Sequence, residues 1–278
     1  MANLKDKEIP RRRLGKTNLQ VSILGLGGEG ILRTYGNDGK AHRLINTAID
    51  LGINYLETAR AYAGSEGYYG GALKERRKDI ILAGKSHARD KKGALEHLKE
   101  SLTNLKTDYL DIWQMHDVRT EEEIKQIFGP GGAMEAFLEA KKKGLVRFIG
   151  VTGHCDPKIT AKCLDIYDFD TVLIPVNPAE PSYKCFLEEI VPLAGAKDTG
   201  VIGMKAYLQG RFDAPKKLLL SYALSQPVSL AVIGCDDVDQ LKENAQAAAE
   251  FLPLKYKEVQ RLASIIEPYA RELMSYKP

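Results

Sequence analysis

Gly52-Ile53-Asn54-Tyr55-Leu56-Glu57-Thr58-Ala59-Arg60-Ala61-Tyr62-Ala63-Gly64-Ser65-Glu66 joins an apolar run, a carboxylate and a tyrosine-bearing loop in one short stretch. Ile53 to Leu56 is short, apolar and bounded by turn-forming residues, which predicts a strand. Two later runs share its plan: Ile80-Ile81-Leu82-Ala83-Gly84 leads to Lys85, and Tyr109-Leu110-Asp111-Ile112-Trp113-Gln114-Met115 leads to His116. In a parallel α/β barrel the ends of such strands lie on one face, where catalytic side chains collect. Glu57, Tyr62, Lys85 and His116 are therefore expected to meet there.

The same alternation extends in both directions. Leu14 to Val21 reads as a small hairpin, and Ser22 to Leu26 as a first barrel strand stopped by Gly27-Gly28. Apolar spacing predicts a helix over Lys40 to Leu51. Strand 53–57, helix 66–76, strand 79–84, helix 91–104 and strand 108–114 follow. Beyond a charged helix (Glu121 to Ile127) and a second one (Ala133 to Lys143), strands are expected at Val146–Val151, Thr171–Val176, Val201–Met204 and Leu230–Ile233. Helices near 157–165, 183–197, 215–225 and 237–249 separate them, and an extra helix starts near 255. Eight strand–helix units in a chain of this length favour a closed (β/α)₈ TIM barrel over an open doubly wound sheet. No linker rich in Pro, Gly or Ser interrupts the series, so residues 1–278 read as a single domain.

The composition excludes several classes of function. With 44% hydrophobic and 28% charged residues, the chain has the make-up of a soluble globular protein. A net charge of +3 gives no argument for nucleic acid or a membrane surface. Arg11-Arg12-Arg13 is a short basic run expected on a solvated surface. Cys155, Cys163, Cys185 and Cys235 form no C-x-x-C pair, which argues against a zinc ribbon or redox dithiol and fits reduced thiols in a cytoplasmic protein. Met1 to Pro10 has no apolar core of signal-peptide length, and no run is long enough to cross a bilayer. No metal site and no nucleic-acid or membrane partner is expected; the oligomeric state is not readable.

Further landmarks stand in order along the chain: Arg13-Leu14-Gly15-Lys16-Thr17, Leu24-Gly25-Leu26-Gly27-Gly28, Ser65-Glu66, Asp108-Tyr109-Leu110-Asp111, Lys143-Gly144, Gly150-Val151-Thr152-Gly153-His154 and Gln240-Leu241-Lys242-Glu243-Asn244. With the four reactive side chains, this set resembles the aldo-keto reductase family, in its Gly-Val-Thr-Gly-His type without the cysteine-rich iron–sulfur extension. The resemblance implies reduction of an aldehyde or ketone by NADP(H) or NAD(H), with a small-molecule carbonyl compound as substrate. The family tetrad is Asp, Tyr, Lys and His, so Glu57 departs from it. Tyr62 is then the proton donor, Lys85 the cation beside it that lowers its pKa, Glu57 the anchor of Lys85, and His116 a hydrogen-bond donor to the carbonyl oxygen.

The cofactor positions follow from the same resemblance. Gly27 and Gly28 would admit close backbone approach. Thr152, Gly153, His154 and Asn177 fall where the family binds the nicotinamide carboxamide, although Gly153 has no side chain to offer and His154 is a candidate substitute. Met204-Lys205 stands where a stacking tyrosine is common, and Gly210-Arg211 near the pyrophosphate. Gly234, Cys235, Asp236, Gln240, Glu243 and Asn244 would surround the adenosine. The basic residues of an NADPH-preferring loop are missing at Gly234 and Gln240. Asp236 and Asp237 either disfavour a 2′-phosphate or cap the following helix, so both cofactors stay open. Two other activities are compatible with these residues: a cofactor-binding sensor barrel with low turnover, and a Schiff-base aldolase using Lys85 or Lys205.

Overall fold

The computed structural model describes residues 7–277. Met1 to Asp6 of the N-terminal stretch and Pro278 lie outside the described residues. Eight parallel strands close into a barrel: β3 (Leu24–Gly30), β4 (Tyr55–Glu57), β5 (Ile81–Ser86), β6 (Leu110–Met115), β7 (Val146–Thr152), β8 (Thr171–Pro175), β9 (Gly200–Met204) and β10 (Leu230–Cys235), with β10 pairing back onto β3. The expected (β/α)₈ architecture is present. Helices α1 (Asp38–Asp50), α2 (Ser65–Leu73), α3 (Lys91–Leu105), α5 (Ala133–Lys142), α6 (Pro157–Ile166), α7 (Phe186–Ala196), α8 (Lys216–Leu224) and α9 (Val238–Ala249) form the outer layer. Helix α4 (Glu121–Phe128) is an addition on the long connection after β6, and α10 (Tyr256–Ile266) and α11 (Ala270–Leu273) follow the last barrel unit.

Two apolar layers hold this arrangement. One lies between strands and helices and includes Leu44, Leu98, Phe137, Phe169 and Leu241. The other fills the barrel itself, with Tyr55, Ala83, Ile112, Leu173, Ile202 and Leu230 pointing inward. Leu14 and Val21 join the inner cluster from the N-terminal hairpin, so the hairpin plugs the barrel at the end where the strands begin. The opposite end stays open.

Several boundaries differ from the sequence expectation. The hairpin strands are β1 (Arg11–Arg13) and β2 (Gln20–Ser22), and most of the expected 14–21 segment is the turn between them. The arginine run is thus a strand with partners: Arg12 donates to the carbonyls of Val228 and Leu224, and Arg13 pairs with Asp198. Strand β3 runs through Gly27-Gly28 because its ladder with β10 continues to the Gly30–Cys235 pair. Gly25, Gly27 and Gly30 stand at G-x-G-x-x-G spacing. They lie within β3 and are followed by a 3₁₀ turn, Ile31–Arg33, so they do not make the strand–turn–helix of a dinucleotide fingerprint. Helix α2 ends at Leu73 and passes into a 3₁₀ segment, and β5 extends far enough to contain Lys85.

Candidate active site

Strands β4, β5 and β6 are neighbours, and their inward positions alternate with period two. Tyr55, Ala83 and Ile112 occupy one inner layer; the next inward positions toward the open end are Glu57, Lys85 and Gln114. Lys85 Nζ lies 2.7 Å from Glu57 Oε1, with the side chains only 1% and 5% exposed. Glu57 Oε2 accepts a bond from Gln114 Nε2 at 3.2 Å, and Lys85 also donates to the Thr58 carbonyl at 3.1 Å. Both carboxylate oxygens of Glu57 are therefore engaged. Burial alone works against the Lys85 ammonium, but Glu57 and Tyr62 outweigh it and leave the pKa above the ordinary lysine value.

Tyr62 hangs on the loop after β4, and that loop is pinned at several points. Thr58 N and Arg60 N donate to the Ala83 and Lys85 carbonyls of β5. The Arg60 guanidinium pairs with Glu66 at 2.6 Å and Glu100 at 2.7 Å, and Ser101 Oγ donates to Glu66. Gly28 supplies the space: a Cβ there would stand 2.5 Å from Ser65 Oγ and 3.1 Å from the Tyr62 ring. The Lys85 ammonium lies 4.8 Å from the Tyr62 ring centroid, the Arg33 guanidinium 5.0 Å, and the His116 ring 5.8 Å in edge-on contact. Burial raises the Tyr62 pKa, and the opposing pull of Lys85 does not cancel it. This differs from the expected net lowering. Desolvation of the phenolate outweighs the cation, so Tyr62 keeps its proton.

His116 directly follows β6. Its backbone N–H donates to the Ser86 carbonyl, while Arg89 donates to the carbonyls of His116 and Asp117. Burial first, and then the nearby Lys85 charge, depress its pKa to about 2, leaving a neutral imidazole. Asp117 adopts a left-handed φ of 54° and lies among Arg119, His154 and Thr152. Arg119 Nη2 is 2.5 Å from Asp117 Oδ2, and Thr152 Oγ1 accepts from Asp117 N at 2.7 Å. His154 Nδ1 is 2.9 Å from Asp117 Oδ1, too oblique for a well-aligned hydrogen bond but an electrostatic contact. Burial lowers the His154 pKa despite that carboxylate.

A cavity of about 760 Å³ runs from Tyr62 and His116 to the start of α9. Of the positions proposed from sequence, Glu57, Tyr62, His116, Gly27, Gly28, His154, Met204, Lys205, Gly210, Gly234, Asp236, Gln240 and Asn244 line it. Lys85 lies behind them, buried against Glu57. Thr152 and Asn177 are wholly buried and outside the lining; Gly153 and Cys235, both buried, and Arg211 and Glu243, both exposed, also lie outside it. Lys205, at φ 58°, forms no ion pair among the described residues; its ammonium faces the Tyr276 ring at 4.8 Å. The two loop carboxylates separate in role. Asp237 caps α9 by accepting from Gln240 N at 2.8 Å, whereas Asp236 lines the cavity. Asn244 is held by the Tyr207 hydroxyl and by a contact to Cys235 Sγ. All four cysteines are free and buried. No metal-ligating cluster occurs among the described residues, and no described helix is long and apolar enough to cross a membrane.

The sequence reading assigned no role to Gln114, Arg89, Asp117, Arg33 or Tyr276. Gln114 carried a usable signal, since it lies two residues before His116 on an inward register. Tyr276 carried none, because its partners lie about a hundred positions away.

The sequence profile of the aldo/keto reductase family matches residues 23–217. An uncharacterized oxidoreductase, YqkF, of Bacillus subtilis is 31% identical over an alignment covering 86% of this chain and 90% of that protein. L-galactose dehydrogenase of Arabidopsis thaliana is 27% identical, with 94% and 95% covered. Among solved structures, the holo form of aldo-keto reductase AKR11C1 from Bacillus halodurans superposes with a TM-score of 0.78 at 27% identity, covering 93% of this chain and 96% of that one.

Proposed function

Given that the chain belongs to the aldo/keto reductase family, we propose that it reduces an aldehyde or ketone to the alcohol with NADPH or NADH, using Tyr62 as the proton donor. The observation that carries this reading is the meeting of a protonated phenol, a buried ion pair and a neutral imidazole at one end of one cavity. The cavity also fits an elongated cofactor. Its lining runs from Tyr62 and His116 past Met204 and Lys205 to Gly234, Asp236 and Gln240, and the α9 N-terminus stands at the far end.

A nicotinamide cofactor bound along this cavity would supply the hydride to the carbonyl carbon. The protein groups then have separate tasks. His116, neutral throughout the physiological range, donates a hydrogen bond to the carbonyl oxygen and fixes its direction. Tyr62 Oη transfers its proton to that oxygen as the C=O bond becomes C–O–H. The phenolate left behind is stabilised by the Lys85 ammonium and regains a proton from solvent. Glu57 and Gln114 hold Lys85 in register. Lys85 is a poor candidate for Schiff-base chemistry, because Glu57 keeps its amine charged and a nucleophilic amine must be neutral.

The test is a binding titration with NADH and NADPH, followed by a panel of carbonyl compounds with the preferred cofactor. Cofactor binding with matching consumption of carbonyl and cofactor supports the proposal. Tight binding with no turnover on any carbonyl would replace it with the sensor activity.

A further inference from the structure

After α11 the chain turns back to the open end of the barrel. Tyr276 lines the cavity that also holds Tyr62, His116 and Lys205. Its backbone carbonyl accepts from Cys155 Sγ, next to His154, and Ser275 bonds Arg211. The Cys155 contact places Tyr276 on the His154 side of the cavity, and the His154 and His116 rings are 6.2 Å apart.

Tyr276 is fixed by a chain of partners. Its hydroxyl donates to Glu180 Oε1 at 2.8 Å and accepts from Asn177 Nδ2 at 3.0 Å. Asn177 Oδ1 in turn accepts from Ala179 N. The next residue secures the carboxylate: Lys277 Nζ lies 2.6 Å from Glu180 Oε2, with both side chains fully buried. Lys277 also donates to the carbonyls of Tyr183 and Lys184, so its three N–H groups each have an acceptor. Breaking such a buried pair on one side is costly. This is a built-in wall, not a loose tail.

The wall changes what Asn177 can do. Asn177 is completely buried behind Tyr276 and does not reach the cavity. The chain also has no aromatic side chain at Met204-Lys205-Ala206, at the end of β9. A ring from the C-terminal segment stands beside Lys205.

We propose that Tyr276, clamped by Glu180, Lys277 and Asn177, is a binding residue of the cofactor site, walling the reaction end, and that Asn177 positions it from behind. The proposal rests on the cavity being a nicotinamide site. It requires the ring of Tyr276 and its fixed placement, with the hydroxyl acting only through the clamp.

The test measures the dissociation constant of the reduced cofactor by calorimetry for wild type, Tyr276→Phe and Tyr276→Ala, without turnover. Removing the ring should weaken binding about tenfold, while Tyr276→Phe, which keeps the ring but frees it from Glu180 and Asn177, should give an intermediate loss of about threefold. Hydrogen exchange over residues 270–277 of the wild-type protein gives a second measurement that needs no variant. Bound cofactor should slow it. Unchanged or tighter binding by Tyr276→Ala, or faster exchange on cofactor addition, overturns the proposal, the latter because the segment would then be displaced by cofactor. No binding of either cofactor by wild type would instead remove the nicotinamide reading itself.

Discussion

Lys85 decides how the reactive residues behave. It is an ammonium in the barrel interior, and Glu57 is what makes it tolerable there. Its charge favours the Tyr62 phenolate while burial opposes it, and burial prevails. Reduction needs the protonated phenol, so the rate should hold across neutral pH and decline only as pH rises toward and through the Tyr62 pKa, above the ordinary 10.0. Lys85→Met removes the cation and should move that decline to still higher pH while lowering turnover. An unchanged profile would break the Tyr62–Lys85 coupling. His116, depressed to about 2, should add no acid limb near neutrality.

Glu57 is the family departure with the clearest structural answer. Its two oxygens divide between Lys85 and Gln114, and Glu57→Asp withdraws the carboxylate by one methylene. Activity should fall several-fold, because the ammonium then loses a well-placed partner in a site sensitive to small displacements. Steady-state kinetics check this; a clear gain in turnover would mark Glu57 as a handicap and favour the sensor activity.

At the scale of elements, the turn from β10 into α9 would set cofactor preference in the proposed function. Asp237 is committed to capping: its side chain accepts from Gln240 N. Asp236 faces the cavity, where Gln240 Nε2 approaches it at 3.4 Å. A carboxylate about 4 Å from a 2′-phosphate costs roughly 1–4 kcal/mol per charge at surface-like dielectric. Asp236→Ser should therefore improve NADPH affinity with little effect on NADH. Asp237→Ser should lower stability by up to about 1 kcal/mol with little change in preference, since Ser also caps. Equal small effects of Asp236→Ser on both cofactors would remove the electrostatic argument.

The legibility of the sequence also differs by element. The barrel strands were readable because each is a short apolar run with a turn at its end, and Glu57, Tyr62 and His116 were readable because they follow such runs. The β3 boundary was not, since Gly27 and Gly28 look like a stop while the ladder to β10 carries the strand onward. The arginine run is surface-exposed, as its charge suggests, but its strand role was not legible, because the partners of Arg12, the carbonyls of Leu224 and Val228, lie over two hundred positions away. Thr152 and Asn177 fall at the expected chain positions, yet a hydrogen bond from Asp117 and the Tyr276 ring place them behind the cavity wall.

For the whole molecule, closure of β10 onto β3 matters most. It brings Gly27 and Gly28 beside Gly234 and joins the chemistry at β4–β6 to the loop before α9 in one cavity. The N-terminal hairpin seals the far end, so in the proposed function one mouth would serve both cofactor and substrate. If this mouth is a carbonyl reductase site with Tyr62 as its acid, cofactor oxidation depends on the Tyr62 hydroxyl. The most direct measurement compares wild type with Tyr62→Phe at saturating cofactor, following cofactor oxidation by a carbonyl that wild type accepts. Tyr62→Phe should keep its cofactor affinity and turn over about 10²-fold or more slower. Near wild-type turnover by Tyr62→Phe would contradict Tyr62 as the acid.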